Sequence, residues 1–252
     1  MPSIDELLAT YPRQRPPLPE AQQAIYVREY RRNRQGADAV TSLAQKAESW
    51  MHRQIARHGT NDGDILEIGA GSLNHLPYEA QNGGRAYDVI EPFRELYADS
   101  PHRHLIRDFY ADINALPRDR RYARIISVAV LEHLPHLPAV IARAALHMHG
   151  RGVFQAAIPS EGGFLWGIGW RLTTGLSYRL RTGHSYGVLM RHEHLNEARE
   201  IIALIRHFFA DTAIKRFPLP LHHLSLYACI RACNPRLERC RDYLSSLPGD
   251  GG

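Results

Sequence analysis

The chain has 252 residues, 44% hydrophobic and 23% charged, enough to bury a full core as one large domain or two small ones. Its formal net charge is +5 and is spread out: residues 1–60 carry nine bases against six acids, and residues 161–216 eight against five. That spread argues against a phosphate-tracking nucleic-acid groove and for a solvated surface or an anionic small substrate, and no apolar run approaches the ~20 residues of a membrane span.

The first residues, "MPSIDELLATYPRQRPP", are acidic early and lack an apolar h-region, so no secretory leader is expected. The three cysteines, Cys229, Cys233 and Cys240, are late, odd in number and without paired metal spacing. They read as reduced thiols of a cytoplasmic protein that holds no metal.

In chain order, residues 1–60 predict a helical cap. "PEAQQAIYVREYRRNRQG" puts Ala24, Val27 and Tyr30 on neighbouring turns. "ADAVTSLAQKAESWMHRQIARHG" repeats Val40, Leu43, Ala47, Trp50, Met51 and Ile55 near the helical period. From residue 64 the pattern alternates strand and helix, with strands expected in "DILEIGA", "RAYDVIEP", "HLIRDFYADI", "YARIISVAVL" and "GVFQAAIP". A helix between the last two runs from Leu137 and is capped by Gly150. Short apolar strands alternating with helices predict a parallel sheet covered on both faces. Residues 160–192 are rich in glycine, arginine and aromatics without a clean period, and read as an irregular lid or binding insert. "NEAREIIALIRHFF" returns to helix. "TAIKRFP" and "LSLYACIRA" are strands whose connection is too short for a crossover, so they should pair antiparallel. The tail, residues 235–252, is weakly patterned, and its end, "PGDGG", is expected to be loose. The predicted division is a cap at 1–60, a domain at 61–234 with the insert 160–192, and a tail.

In an open parallel sheet, ligands bind beyond the carboxyl ends of the strands. Those ends carry Glu67, Gly69 and Gly71, then Glu91, then Asp112 and Ile113, then Val130 and Leu131. An adenosine derivative would use each. The glycines admit close backbone approach, and Glu91 can accept from both ribose hydroxyls. Asp112 can accept from the adenine amino group while the Ile113 amide donates to the ring. Val130 or Leu131 can lie on the adenine face. A nicotinamide dinucleotide wants a third loop glycine, where this chain has Asn74. Glu67 suits a ligand with an amine near the loop, as S-adenosylmethionine has.

The run "LEIGAG", "VIEP", "ADI", "SVAVLEHLP" resembles the consecutive motifs of the class I S-adenosylmethionine-dependent methyltransferases, over residues 64–160. The two late strands are similar to that family's antiparallel hairpin. The resemblance implies a Rossmann-like α/β fold with a seven-stranded, mostly parallel sheet and S-adenosylmethionine as cofactor. It implies that Glu67, Gly69 and Gly71 wrap the methionine part, that Glu91 holds ribose and that Asp112 faces adenine.

Methyl transfer to a hydroxyl needs a base. His133, beside strand four, and His184 and His192 in the insert are the candidates. Tyr26, Tyr30, Trp166, Arg171, Arg181, Tyr186 and His194 are candidate substrate contacts, with Arg34 near the first two. The expected acceptor is a small molecule such as a sugar or natural-product hydroxyl, and nucleic acid is not the expected partner. The alternatives are an RNA or other nucleic-acid methyltransferase, a nicotinamide oxidoreductase, and a non-catalytic module that only binds S-adenosylmethionine.

Overall fold

The structure, a computed structural model, describes residues 2–20, 22–23, 25, 42–57, 63–79 and 85–248. Tyr26, Tyr30 and Arg34, and most of the helix expected around them, lie outside the described residues.

The strands are β1 (Ile65–Ile68), β2 (Tyr87–Ile90), β3 (Phe109–Tyr110), β4 (Tyr122–Val128), β5 (Met148–Pro159), β6 (Phe209–Pro218) and β7 (Ser225–Pro235). They form one seven-stranded sheet in the order β3-β2-β1-β4-β5-β7-β6. β1 to β5 are parallel. β7 inserts antiparallel between β5 and β6. The late hairpin is therefore antiparallel as expected, with its second strand on the inside.

Strand side chains alternate between faces, and the sheet builds one core on each. On the first, Leu66, Ile68, Ile125, Phe154 and Ile230 pack with α4 (Leu137–Leu146), α8 (Ala198–Phe208) and α9 (Leu237–Ser245). On the second, Ile65, Tyr87, Val89 and Ile126 pack with Met51 and Ile55 of α2 (Ser42–Arg57). The second half of the expected cap is thus a layer of the sheet. The short α1 (Ile4–Leu8) begins in a capping box between Ser3 and Glu6, and the single-turn α3 (Arg94–Tyr97) follows β2.

Three expectations are corrected. The helix before β5 stops at Leu146, short of Gly150, because the His147 carbonyl accepts from the Tyr122 amide (2.8 Å) and the chain from Met148 onward pairs with β4. Residues 160–192 are largely helical: α5 (Phe164–Trp170), a π-helical turn at Arg171–Gly175, α6 (Leu176–Thr182) and α7 (Tyr186–Glu193). The π turn breaks the 3.6-residue period that would have identified the segment as helical. The tail holds α9, whose buried Cys240 and Leu244 stand among polar residues and make a sparse pattern.

Candidate functional site

A cleft of about 1340 Å³ opens at the carboxyl ends of the parallel strands, where the strand order reverses between β1 and β4. Its floor is the turn after β1. Gly69 and Gly71 take left-handed backbone, with φ of +73° and +53°. A Cβ on Gly69 would lie 2.4 Å from Val130, so only glycine lets the turn pack under the β4 tip. Gly71 instead has open space on that side and lines the cleft. At the β4 tip, Ala129 is also left-handed, at φ +54°, a costly conformation for a residue with a Cβ.

Glu91, at the end of β2, is buried. Its carboxylate accepts from the Gly71 amide (2.8 Å) and the Phe93 amide (3.1 Å), which couples the glycine turn to the next strand end. Asp112, after β3, caps the turn that begins at Ile113 by accepting from the Asn114 amide (2.6 Å). Both it and Ile113 line the cleft, as does Val130. Leu131 does not. It is wholly buried in the first core, which corrects its expected place against a ligand.

Glu67 lines the cleft at 2% exposure and accepts from the Tyr87 hydroxyl (2.8 Å). Burial pushes its carboxyl up to about 8, against the pull of that hydrogen bond. Behind the glycine turn, the rings of His52 and His75 are hydrogen-bonded (3.0 Å), and His75 is bonded to Glu79 (2.9 Å). Arg124 clamps Glu79 with two bonds of 2.7 and 2.9 Å.

The other wall is made by Glu132, His133, Trp166, His194 and Tyr227. His133 donates from Nδ1 to the Glu193 carbonyl (2.9 Å), which leaves Nε2 as an acceptor. Burial, then the neighbouring His194, pull His133 down to about 4. The His194 ring meets it edge-on at 4.6 Å. His194 is hydrogen-bonded through Nδ1 to Glu161, and Trp166 packs edge-on against Tyr227 (5.7 Å). Burial, reinforced by Glu197, raises Glu161 to about 8, and burial lowers His194 to about 4. Glu132 is raised to about 8 by burial, and its Oε2 has no hydrogen-bond partner among the described residues.

His184, His192, Arg171, Arg181 and Tyr186 do not line the cleft. His184 sits in the bend between α6 and α7, and helical order turns the other four elsewhere. His192 donates to the Pro16 carbonyl (2.7 Å) and ties down the N-terminal segment. Arg171 bonds the Gly167 carbonyl (2.8 Å), and Arg181 the Ser177 hydroxyl (2.8 Å). Tyr186 packs on Trp170 and Tyr178. The His184 amide donates to Thr182 (3.2 Å).

Sequence reasoning gave no role to Glu132, which stands inside the quoted "SVAVLEHLP" run, and it missed Glu161 and the His52–His75 pair. Glu161 had one available signal, its place two residues after β5 ends, where a strand-end acid had already been read as functional elsewhere. The histidine pair had none, since it joins a helix to a turn 23 positions away. Among the described residues no group of His, Cys, Asp or Glu is placed to hold a metal ion.

Comparison with known proteins accords with this geometry. The family model described as a methyltransferase domain matches residues 29–197. No curated protein matches the sequence. Among solved structures, the chain is similar to a SAM-dependent methyltransferase from Thermotoga maritima, a possible histamine N-methyltransferase. The TM-score is 0.56 and the identity 14%, over 82% of this chain and 95% of that one. It is also similar to the plantazolicin methyltransferase BpumL solved with SAH, at TM-score 0.57 and 14% identity over 92% and 97% of the two chains. At these identities the likeness is one of fold.

Proposed function

The chain belongs to the methyltransferase-domain family, and from that membership we propose that it transfers a methyl group from S-adenosylmethionine to a small-molecule acceptor, with a hydroxyl oxygen as the favoured nucleophile. The observation that carries this reading is the pairing of two unlike walls across one cleft: a glycine turn with strand-end acids on one side, and buried Glu132 with half-buried His133 and His194 on the other.

The residues of the first wall fit the cofactor. Gly71 offers backbone with open space before it, where a Cβ would meet no protein atom. Glu91 is held by two amides and keeps acceptor capacity for a pair of hydroxyls. Asp112 and Ile113 suit the adenine edge and Val130 its face. Glu67, with a carboxyl raised by burial, would ionise opposite an ammonium group. When bound, the cofactor supplies a methyl already activated by its positively charged sulfur.

What remains for the protein is to orient the acceptor, exclude water and take up a proton. Holding reactants in line can contribute ~7–11 kcal/mol to lowering the barrier. His133 Nε2 is an acceptor at neutral pH. His194, oriented by Glu161, is the second candidate base, and Trp166 and Tyr227 supply aromatic walls for the acceptor. The plantazolicin methyltransferase BpumL, on the same fold, has been solved with a monoazolic desmethylPZN analog and SAH together, a likeness of fold that leaves the choice of acceptor to this chain's own residues.

Calorimetric titration with S-adenosylhomocysteine tests the cofactor wall. Glu91→Ala should weaken binding by ~1.5–3 kcal/mol, the usual contribution of hydrogen bonds to a charged group. Unchanged affinity would remove Glu91 from the ribose, and no binding by the unmutated protein would sink the proposal as a whole.

A further inference from the structure

We propose that the outer face of the α5–α6 segment seats this protein on an anionic lipid surface. Phe164, Ile168, Leu172, Leu176 and Leu180 recur every fourth residue and are 65%, 38%, 68%, 50% and 79% exposed. On a pure α-helix such a row drifts about 40° per step. The π turn at Arg171–Gly175 holds more residues per turn and rotates the row back, which offsets part of that drift and keeps the five exposed side chains close to one stripe. The β6–β7 connection extends the face. Its Leu219, Leu221 and Leu224 are exposed too, and it packs against the start of α5, where a Cβ on Gly163 would lie 2.8 Å from the His222 carbonyl.

A contiguous apolar face of this kind marks an interaction surface, and charge selects the occupant. Between Gly162 and His192 the charged residues are Arg171, Arg179, Arg181 and Arg191, with no acid. An apolar helix face flanked by arginines matches an anionic bilayer interface. A second copy of the chain would bring the same arginines together by symmetry. Among the described residues no helix is long and apolar enough to cross a membrane, so the segment would lie on the surface. Trp166, on the same helix, lines the cleft, so a docked protein would hold the cleft mouth near the lipid.

The test reads lipid association rather than turnover, so its outcome is independent of the proposed methyl transfer. The full chain is sedimented with vesicles of phosphatidylcholine mixed with phosphatidylglycerol, and with phosphatidylcholine alone. The protein should pellet with the mixed vesicles, less with the neutral ones, and L172E/L180E should reduce pelleting at least about tenfold. The melting temperature of the variant checks its fold. Should it be lowered, Leu180→Ser at the most exposed position gives the same readout with a smaller change. Failure of the unmutated protein to pellet with anionic vesicles overturns the proposal, as does equal pelleting of a folded variant. Concentration-dependent dimerisation that the variant abolishes, without vesicle binding, also overturns it.

Discussion

Glu161 and His194 share a proton, and the position of that proton decides what His194 can do. With Glu161 raised to about 8 and His194 lowered to about 4, both by burial, the pair is uncharged at neutral pH. His194 then accepts from Glu161 at Nδ1 and carries its own proton on Nε2, which makes it a donor. Loss of one proton reverses this: Glu161 becomes a carboxylate accepting from Nδ1–H, and Nε2 is freed to take a proton from an acceptor hydroxyl. The methylation rate should therefore rise as pH passes about 8, and Glu161→Gln should flatten that rise while leaving S-adenosylhomocysteine affinity intact. An identical pH profile in the variant would exclude His194 as the base and leave His133. At this scale the sequence was most informative where backbone geometry restricts the residue type. Gly69 could be read because no other residue fits under Val130. His133 could be read from its place at a strand end, but its partner, the Glu193 carbonyl, is 60 positions away and was invisible.

At the scale of elements, Arg124 is the joint between layers. It is 1% exposed, projects from β4, pairs with Glu79 behind the glycine turn, and bonds Gln155 of β5 (3.0 Å) and the Ile55 carbonyl of α2 (3.1 Å). Arg124→Met would leave Glu79 and that carbonyl without their main partner, a loss of ~3–5 kcal/mol for a buried pair broken on one side. Urea denaturation should show that loss, and Arg124→Met with Glu79→Leu should recover much of it. Stability close to that of the unmutated protein in the single variant would show that the joint is not structural. Strands and long helices were legible because each carries a strong period of its own. The insert was not, because its π turn and glycines disguise a helix. The inner position of β7 was not, because a hairpin pattern does not say which strand meets the sheet.

For the whole molecule, pH acts through groups buried at the cleft. Glu67 and Glu132 have folded values near 8 against 4.5 when unfolded. The folded state thus holds extra protons between those values, and these groups stabilise least above pH 8. His133 moves the other way, near 4 against 6.5, so its burial costs more as pH falls through that range. Glu79, lowered to about 2 despite burial by its bonds to His75 and Arg124, adds a further loss at acid pH. The melting temperature should peak at mildly acid pH and fall on both sides, as thermal scans across buffers can check. A flat profile from pH 6.5 to above 8 would mean that the two glutamates are ionised in the fold. The sequence by itself determined the alternating architecture, the family resemblance and the strand ends that line the cleft, because strand period, glycine placement and the residue ending each strand are local properties. Only the tertiary structure decided what stands across the cleft from the glycine turn. Glu132, His133, Glu161, Trp166 and His194 meet through burial and hydrogen bonds between separate elements, and a one-dimensional pattern carries no record of such contacts.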